Sequence, residues 1–70
     1  MKLYIRSQDR LKMEYVNGLE AYEYNDKFTI EVNGIDFGEY NSKERAIEIL
    51  DEIQKLLILN YMGVYEMPEE

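Results

Sequence analysis

Ala46, Ile49, Leu50, Ile53, Leu56, Leu57 and Tyr61 recur at intervals of three and four residues. That spacing gathers side chains on one face of an α-helix. Glu48, Asp51, Glu52 and Lys55 repeat it on the opposite face, which is therefore solvated. The pattern predicts a helix over residues 41–62. Asn41 with Glu44 fits a capping box, Ser42 offers a rival cap one position on, and Gly63 suits the left-handed stop. In the last two turns Ile58, Leu59 and Met62 fall outside the core face, so the helix end is apolar nearly all round and must be covered. Three covers fit: the tail over residues 64–67, a groove for a partner, or a subunit interface. The interface would comprise Ile58, Leu59, Met62 and Tyr65.

Upstream of the helix the period changes to two, the signature of half-buried strands. Met1, Leu3 and Ile5 alternate with Lys2, Tyr4 and Arg6, and Leu11, Met13 and Tyr15 alternate with Lys12 and Glu14. Leu19 and Ala21 share one side of a third strand, with Glu20, Tyr22 and Tyr24 on the other. Phe28, Ile30 and Val32 alternate with Lys27, Thr29 and Glu31. Ile35 and Phe37 continue the inward side, leaving Asp36, Gly38 and Tyr40 outside. Asn17-Gly18 and Asn33-Gly34 are type I′ hairpin signals, because both central positions of that turn need positive φ. Asn25-Asp26 makes a further turn, and Gly38 marks a strand position where a neighbour comes close.

These elements predict an α+β fold: an antiparallel β-meander of four to five short strands, followed by one amphipathic helix packed on one face. A short C-terminal strand over residues 64–67 completes it, within a single domain of residues 1–70. The inward set is Leu3, Ile5, Leu11, Met13, Leu19, Ala21, Phe28, Ile30, Val32, Ile35 and Phe37. Tyr4, Arg6, Glu14, Tyr22, Tyr24, Thr29, Glu31 and Tyr40 occupy the outer face.

Length sharpens the question of what covers the helix end. A chain of 70 residues buries only about 60% of its unfolded surface. With no cysteine, neither a disulfide nor a thiolate metal site can staple it, so self-association is a physically sensible source of stability. The same absence favours a reducing, cytoplasmic setting. Apolar runs are far shorter than the ~20 residues that span a bilayer, so no membrane role is expected. The first ten residues, MKLYIRSQDR, lack the apolar core of a signal peptide.

The net charge of −7 opposes direct binding to nucleic acid or to an anionic membrane. The charge is uneven. Residues 1–12 hold four bases against one acid, a net of +3, whereas residues 13–70 carry a net of −10.

Catalysis is not expected. The chain has no histidine and no cysteine, so the common proton-exchanging and nucleophilic groups are missing. No stretch has the spacing of a calcium loop, and no metal or cofactor is expected. Seven tyrosines are the informative excess. Tyrosines make good cross-strand pairs, and they also supply rigid contact area with a polar tip. On the second reading Tyr4, Arg6, Arg10, Tyr22 and Tyr24 form a candidate site, with rings stacking on a base and guanidinium groups holding a phosphate. A nucleotide-like anion would suit it.

The opening MKLYIRSQD, the segment GEYNSKERAIEILDEIQ and the ending YEMPEE resemble small uncharacterised proteins of phages and mobile elements of Gram-positive bacteria. The resemblance covers somewhat under half of the chain and includes no catalytic motif. It implies an accessory or anti-defence factor acting in the cytoplasm of a bacterial host cell. Two function classes follow. One is a homo-oligomeric binding protein, dimeric or larger, that sequesters a small anionic ligand. The other is an inhibitor of a host protein whose acidic surface, including Glu48, Asp51 and Glu52, mimics nucleic acid. A structural subunit with no ligand is the third alternative.

Overall fold

The computed structural model describes residues 3–70, and its strands and helix follow one another as β1 Leu3–Arg6, β2 Met13–Tyr15, β3 Leu19–Tyr24, β4 Lys27–Val32, β5 Ile35–Tyr40, α1 Lys43–Ile58 and β6 Gly63–Glu66. The expected placement of Met1 and Lys2 lies outside the described residues. The fold is α+β, with the helix packed against β4 and β5 and a short strand after it. The strands divide between two three-stranded sheets rather than one continuous meander. β3, β4 and β5 form an antiparallel sheet in chain order. β1 sits at the centre of the other, antiparallel to β2 and parallel to β6.

Local chemistry accounts for the meander of the larger sheet. Asn25 and Asp26 both take positive φ (52° and 63°), as do Asn33 and Gly34 (55° and 83°), so each pair closes a two-residue hairpin. Asn17-Gly18, which carries the same signal, does not make one. It bridges the two sheets, held by Asn33, whose side-chain oxygen accepts both the Asn17 and Gly18 N–H groups at 2.8 and 2.9 Å. The Asn33 amide in turn donates to the Tyr15 carbonyl at 2.8 Å. A single turn residue therefore fastens the end of one sheet to a hairpin of the other.

The core unites both sheets and the helix. Leu3 and Ile5 of β1, Ile30 and Val32 of β4, Phe37 and Tyr40 of β5, Ala46, Ile49 and Ile53 of α1, and Met67 after β6 form one buried cluster. Two groups of expectations are corrected. Met13 pairs with Arg6 and Tyr15 with Tyr4, so β2 turns Met13 outward, and Leu11 lies exposed in the preceding turn. Ala21 and Ile35 are exposed as well, because the helix does not reach over them.

The second correction has one cause, a β-bulge. The β4–β5 register runs Val32 to Ile35 and Glu31 to Asp36, then skips Phe37 and resumes as Ile30 to Gly38 and Phe28 to Tyr40. The extra residue reverses the alternation beyond it. Tyr40 therefore points into the core, where its hydroxyl donates to the Pro68 carbonyl at 2.7 Å. Thr29 is buried for a different reason: it keeps its place on the outer face, where the loop carrying Gln8, Asp9 and Lys12 lies over it and Phe37. Phe37 is buried with the Lys12 ammonium 5.9 Å from its ring centre.

Burial pushes the Tyr40 hydroxyl from the ordinary 10.0 up to about 12. A raised folded-state value means that the folded protein holds the proton after the unfolded chain has released it. The contribution is thus complete below pH 10 and is lost as pH rises towards about 12. Melting temperatures measured across that window should fall more steeply for the natural chain than for Tyr40→Phe. Parallel curves would exclude Tyr40 as the group responsible.

Ser42 caps the helix, its hydroxyl accepting the Arg45 N–H at 3.1 Å. The helix stops four residues before the expected end. Asn60 takes φ 54° and donates its N–H to the Leu57 carbonyl at 3.1 Å, while the Tyr61 N–H reaches the Leu56 carbonyl at 3.0 Å. This is a Schellman turn with Asn60, not Gly63, in the left-handed position. Gly63 answers a different need, since a Cβ there would meet the Tyr61 ring at 2.8 Å.

Candidate functional site

The turn at Asn60 decides what is left uncovered. Ile49 and Ile53 lie at zero exposure on the core side of α1, but the chain reverses before Leu57, Ile58 and Leu59 can be covered. Ile58, Leu59 and Met62 are 71%, 66% and 65% exposed. The following strand does not fold over them. β6 docks beside β1, burying Met67 and leaving Val64 exposed next to Tyr4 in the register. Tyr4 is paired on its other side with Tyr15, the two rings 6.3 Å apart at a tilt of 58°. Exposed apolar residues therefore succeed one another along the chain from the end of α1 through Met62 to Val64, and Val64 stands beside Tyr4 and Tyr15 on the outer face of the small sheet. Met13 and Arg6 are paired two residues further along the same strands.

Tyr65 stands apart from Ile58, Leu59 and Met62. It alternates to the inner side of β6, partly buried against the core, and its hydroxyl donates to Glu52. Burial first, and the Glu52 carboxylate second, push that hydroxyl well above the ordinary tyrosine range.

The residues considered for an anionic ligand fall into two groups on two sheets. Tyr4 and Arg6 belong to β1, with Arg10 in the turn that follows. Arg10 takes φ 70° and presents its carbonyl to the Arg6 guanidinium, which donates to it at 3.0 and 3.1 Å. The Arg10 guanidinium pairs with Glu66 on β6 and holds that carboxyl below the usual carboxylate range. One of the two cations is thus already matched by an acid. Tyr22 and Tyr24 lie on β3 of the other sheet, and the Tyr22 hydroxyl donates to Asp36 at 3.2 Å.

The outer face of the larger sheet is acidic. Glu20, Glu31 and Asp36 stand side by side across three strands. Partial burial first, then the Asp36 carboxylate beside it, raise the Glu31 pKa, with Glu20 adding in the same sense. Among the described residues no group of His, Cys, Asp and Glu is arranged to hold a metal ion. No helix of the described residues is long and apolar enough to cross a membrane.

Composition alone did not mark two structural anchors. Ser7 is buried, its hydroxyl donating to Asp9 at 2.6 Å and accepting the Lys12 N–H at 3.0 Å. That bond, with the Leu11 N–H second, lowers the Asp9 pKa. Gln8 behaves as a substitute strand. Its N–H donates to the Phe37 carbonyl at 2.7 Å, its side-chain oxygen accepts the Glu39 N–H at 3.0 Å, and its amide donates to the Glu39 and Glu69 carbonyls. Gln8 thereby closes the outer edge of β5.

No family model matches the chain, and neither a curated protein nor a solved structure does.

Proposed function

We propose that this protein is a non-catalytic interaction module that works as a homo-oligomer, its copies meeting through the exposed apolar residues at the end of α1 and on the small sheet. The observation that carries this reading is the exposure of Ile58, Leu59 and Met62 together, followed along the chain by Val64, which stands beside Tyr4. Apolar residues exposed together mark an association site, whereas single exposed apolar residues are ordinary. The setting is the one the sequence resemblance implies, a bacterial host cell that a phage or mobile element has entered.

The test is size-exclusion chromatography with light scattering. The natural chain is expected to elute as a dimer or larger species. Ile58→Glu combined with Leu59→Glu should give a monomer with an unchanged circular dichroism spectrum, because neither side chain belongs to the core. Placing two charges in an apolar interface should weaken association by about 100-fold or more. A natural chain that is monomeric at all accessible concentrations would sink the proposal.

A second reading, capture of a small nucleotide-like anion, is favoured by one observation: Tyr4 and Arg6 emerge on the same side of β1, with Arg10 joined to Arg6. A saturable rise in melting temperature with a nucleotide, lost in Arg6→Ala, would support it. The Arg10–Glu66 pair would have to open or rearrange to admit a phosphate.

A further inference from the structure

We infer that the free edge of β3 is a docking site for an extended segment of a partner protein that alternates basic and apolar side chains. This surface lies on the larger sheet and is independent of the self-association proposed above.

Three observations meet at β3. First, it is the terminal strand of its sheet, six residues long and regularly paired with β4 throughout. The two-residue turn at Asn25-Asp26 makes Tyr24 and Lys27 a hydrogen-bonded pair, and the bonded positions then alternate. Leu19, Ala21 and Glu23 therefore turn their N–H and carbonyl groups away from β4, towards the open edge. The contrast with β5 is direct, since Gln8 closes that edge and no described side chain does the same for β3. An unpaired strand edge is a template for another strand.

Second, the inner side of β3 is not covered by the helix. A groove of about 380 Å³ opens there, lined by Ala21, Glu23, Phe28, Lys43, Ala46 and Ile47. A strand added beside Ala21 would project an apolar side chain towards this space. Third, the outer side carries the row Glu20, Glu31 and Asp36, which ends at the free edge. The next position in that row belongs to the incoming strand, and a lysine or arginine there lies beside Glu20, with Glu31 and Asp36 one and two strands further on adding to the same negative field. Opposite charges on neighbouring strands attract, and like charges repel.

The same row argues against a second copy at this edge. β3 would bring its own Glu20 and Glu23 and no base. The chemistry selects a strand with cationic side chains outward and apolar side chains inward.

The test uses the full chain and a capped peptide of alternating lysine and valine, long enough to span β3, with a glutamate–valine peptide as its control. Amide exchange followed by NMR should slow at Ala21 and Glu23 with the lysine–valine peptide only. Ala21→Pro removes an edge donor while keeping the β4 ladder, and should weaken binding about tenfold. If that variant does not fold, Glu20→Lys, a change at an exposed position, should give a comparable loss. Absence of binding, binding without protection at Ala21 and Glu23, or equal binding of the control peptide would each overturn the inference. Protection that rises with protein concentration in the absence of peptide would also overturn it, since a second copy would then occupy the edge. The Ile58→Glu and Leu59→Glu changes leave this edge untouched, so the two proposals fail separately.

Discussion

Replacing Met67 by alanine is expected to destabilise the fold by about 3 kcal/mol. Met67 is 2% exposed and follows β6, where its N–H donates to the Arg6 carbonyl at 3.0 Å. Its side chain belongs to the cluster that joins β1, β4, β5 and α1. Truncation removes the buried thioether and leaves a cavity that these elements cannot jointly collapse. A domain of this size commands only about 5 kcal/mol in total, so more than half would be lost. Urea denaturation should show a much lower midpoint with little change in slope. Met67→Leu keeps the volume and should cost less than about 1.5 kcal/mol. A loss below about 1 kcal/mol for the alanine variant would remove Met67 from the core.

Gly38→Ala should cost about 2 kcal/mol, by crowding rather than by cavity. A Cβ at Gly38 would lie 2.7 Å from the Tyr40 hydroxyl oxygen, 2.9 Å from its ring and 3.1 Å from the Met67 methyl. Tyr40 cannot swing aside freely, since its hydroxyl is bonded to the Pro68 carbonyl and its ring is buried. The two predictions are therefore coupled. In a Met67→Ala background the ring has room to move, so the double variant should be destabilised by less than the two single losses combined. Strict additivity in the denaturation midpoints would show that the contact does not exist.

What the sequence makes legible is whatever depends on near neighbours. The helix face from Ala46 to Ile53, the turns at Asn25-Asp26 and Asn33-Gly34, and the alternation in β1 and β4 are local patterns, and the structure carries them. The close approach at Gly38 is read correctly too, although the neighbour is identified only by the fold. The bulge at Phe37 breaks no local rule, because Ile35-Asp36-Phe37 alternates equally well with or without it. Only the pairing with β4 shows that Gly38 and Tyr40 change sides.

Contacts distant in sequence were similarly hidden. Asn17-Gly18 has the composition of a hairpin, yet β2 and β3 belong to different sheets, and the Asn33 side chain takes the backbone bonds. The parallel pairing of β1 with β6 leaves no trace in either strand. Ile58, Leu59 and Met62 fall outside the core face by helical spacing alone, and the structure leaves all three exposed. Tyr65, expected beside them, alternates inward, and the five Tyr and Arg positions divide between sheets.

The pairing of the first strand with the last has a kinetic meaning. β3, β4 and β5 are joined by two-residue turns, and α1 follows immediately, so these elements form through short loops. Leu3–Arg6 and Gly63–Glu66 must instead meet across nearly the whole chain. The entropy of closing that loop is lost before any contact within it compensates. The clasp between β1 and β6 therefore sets how quickly the fold closes, and through Leu3, Ile5 and Met67 it also supplies part of the core that holds it.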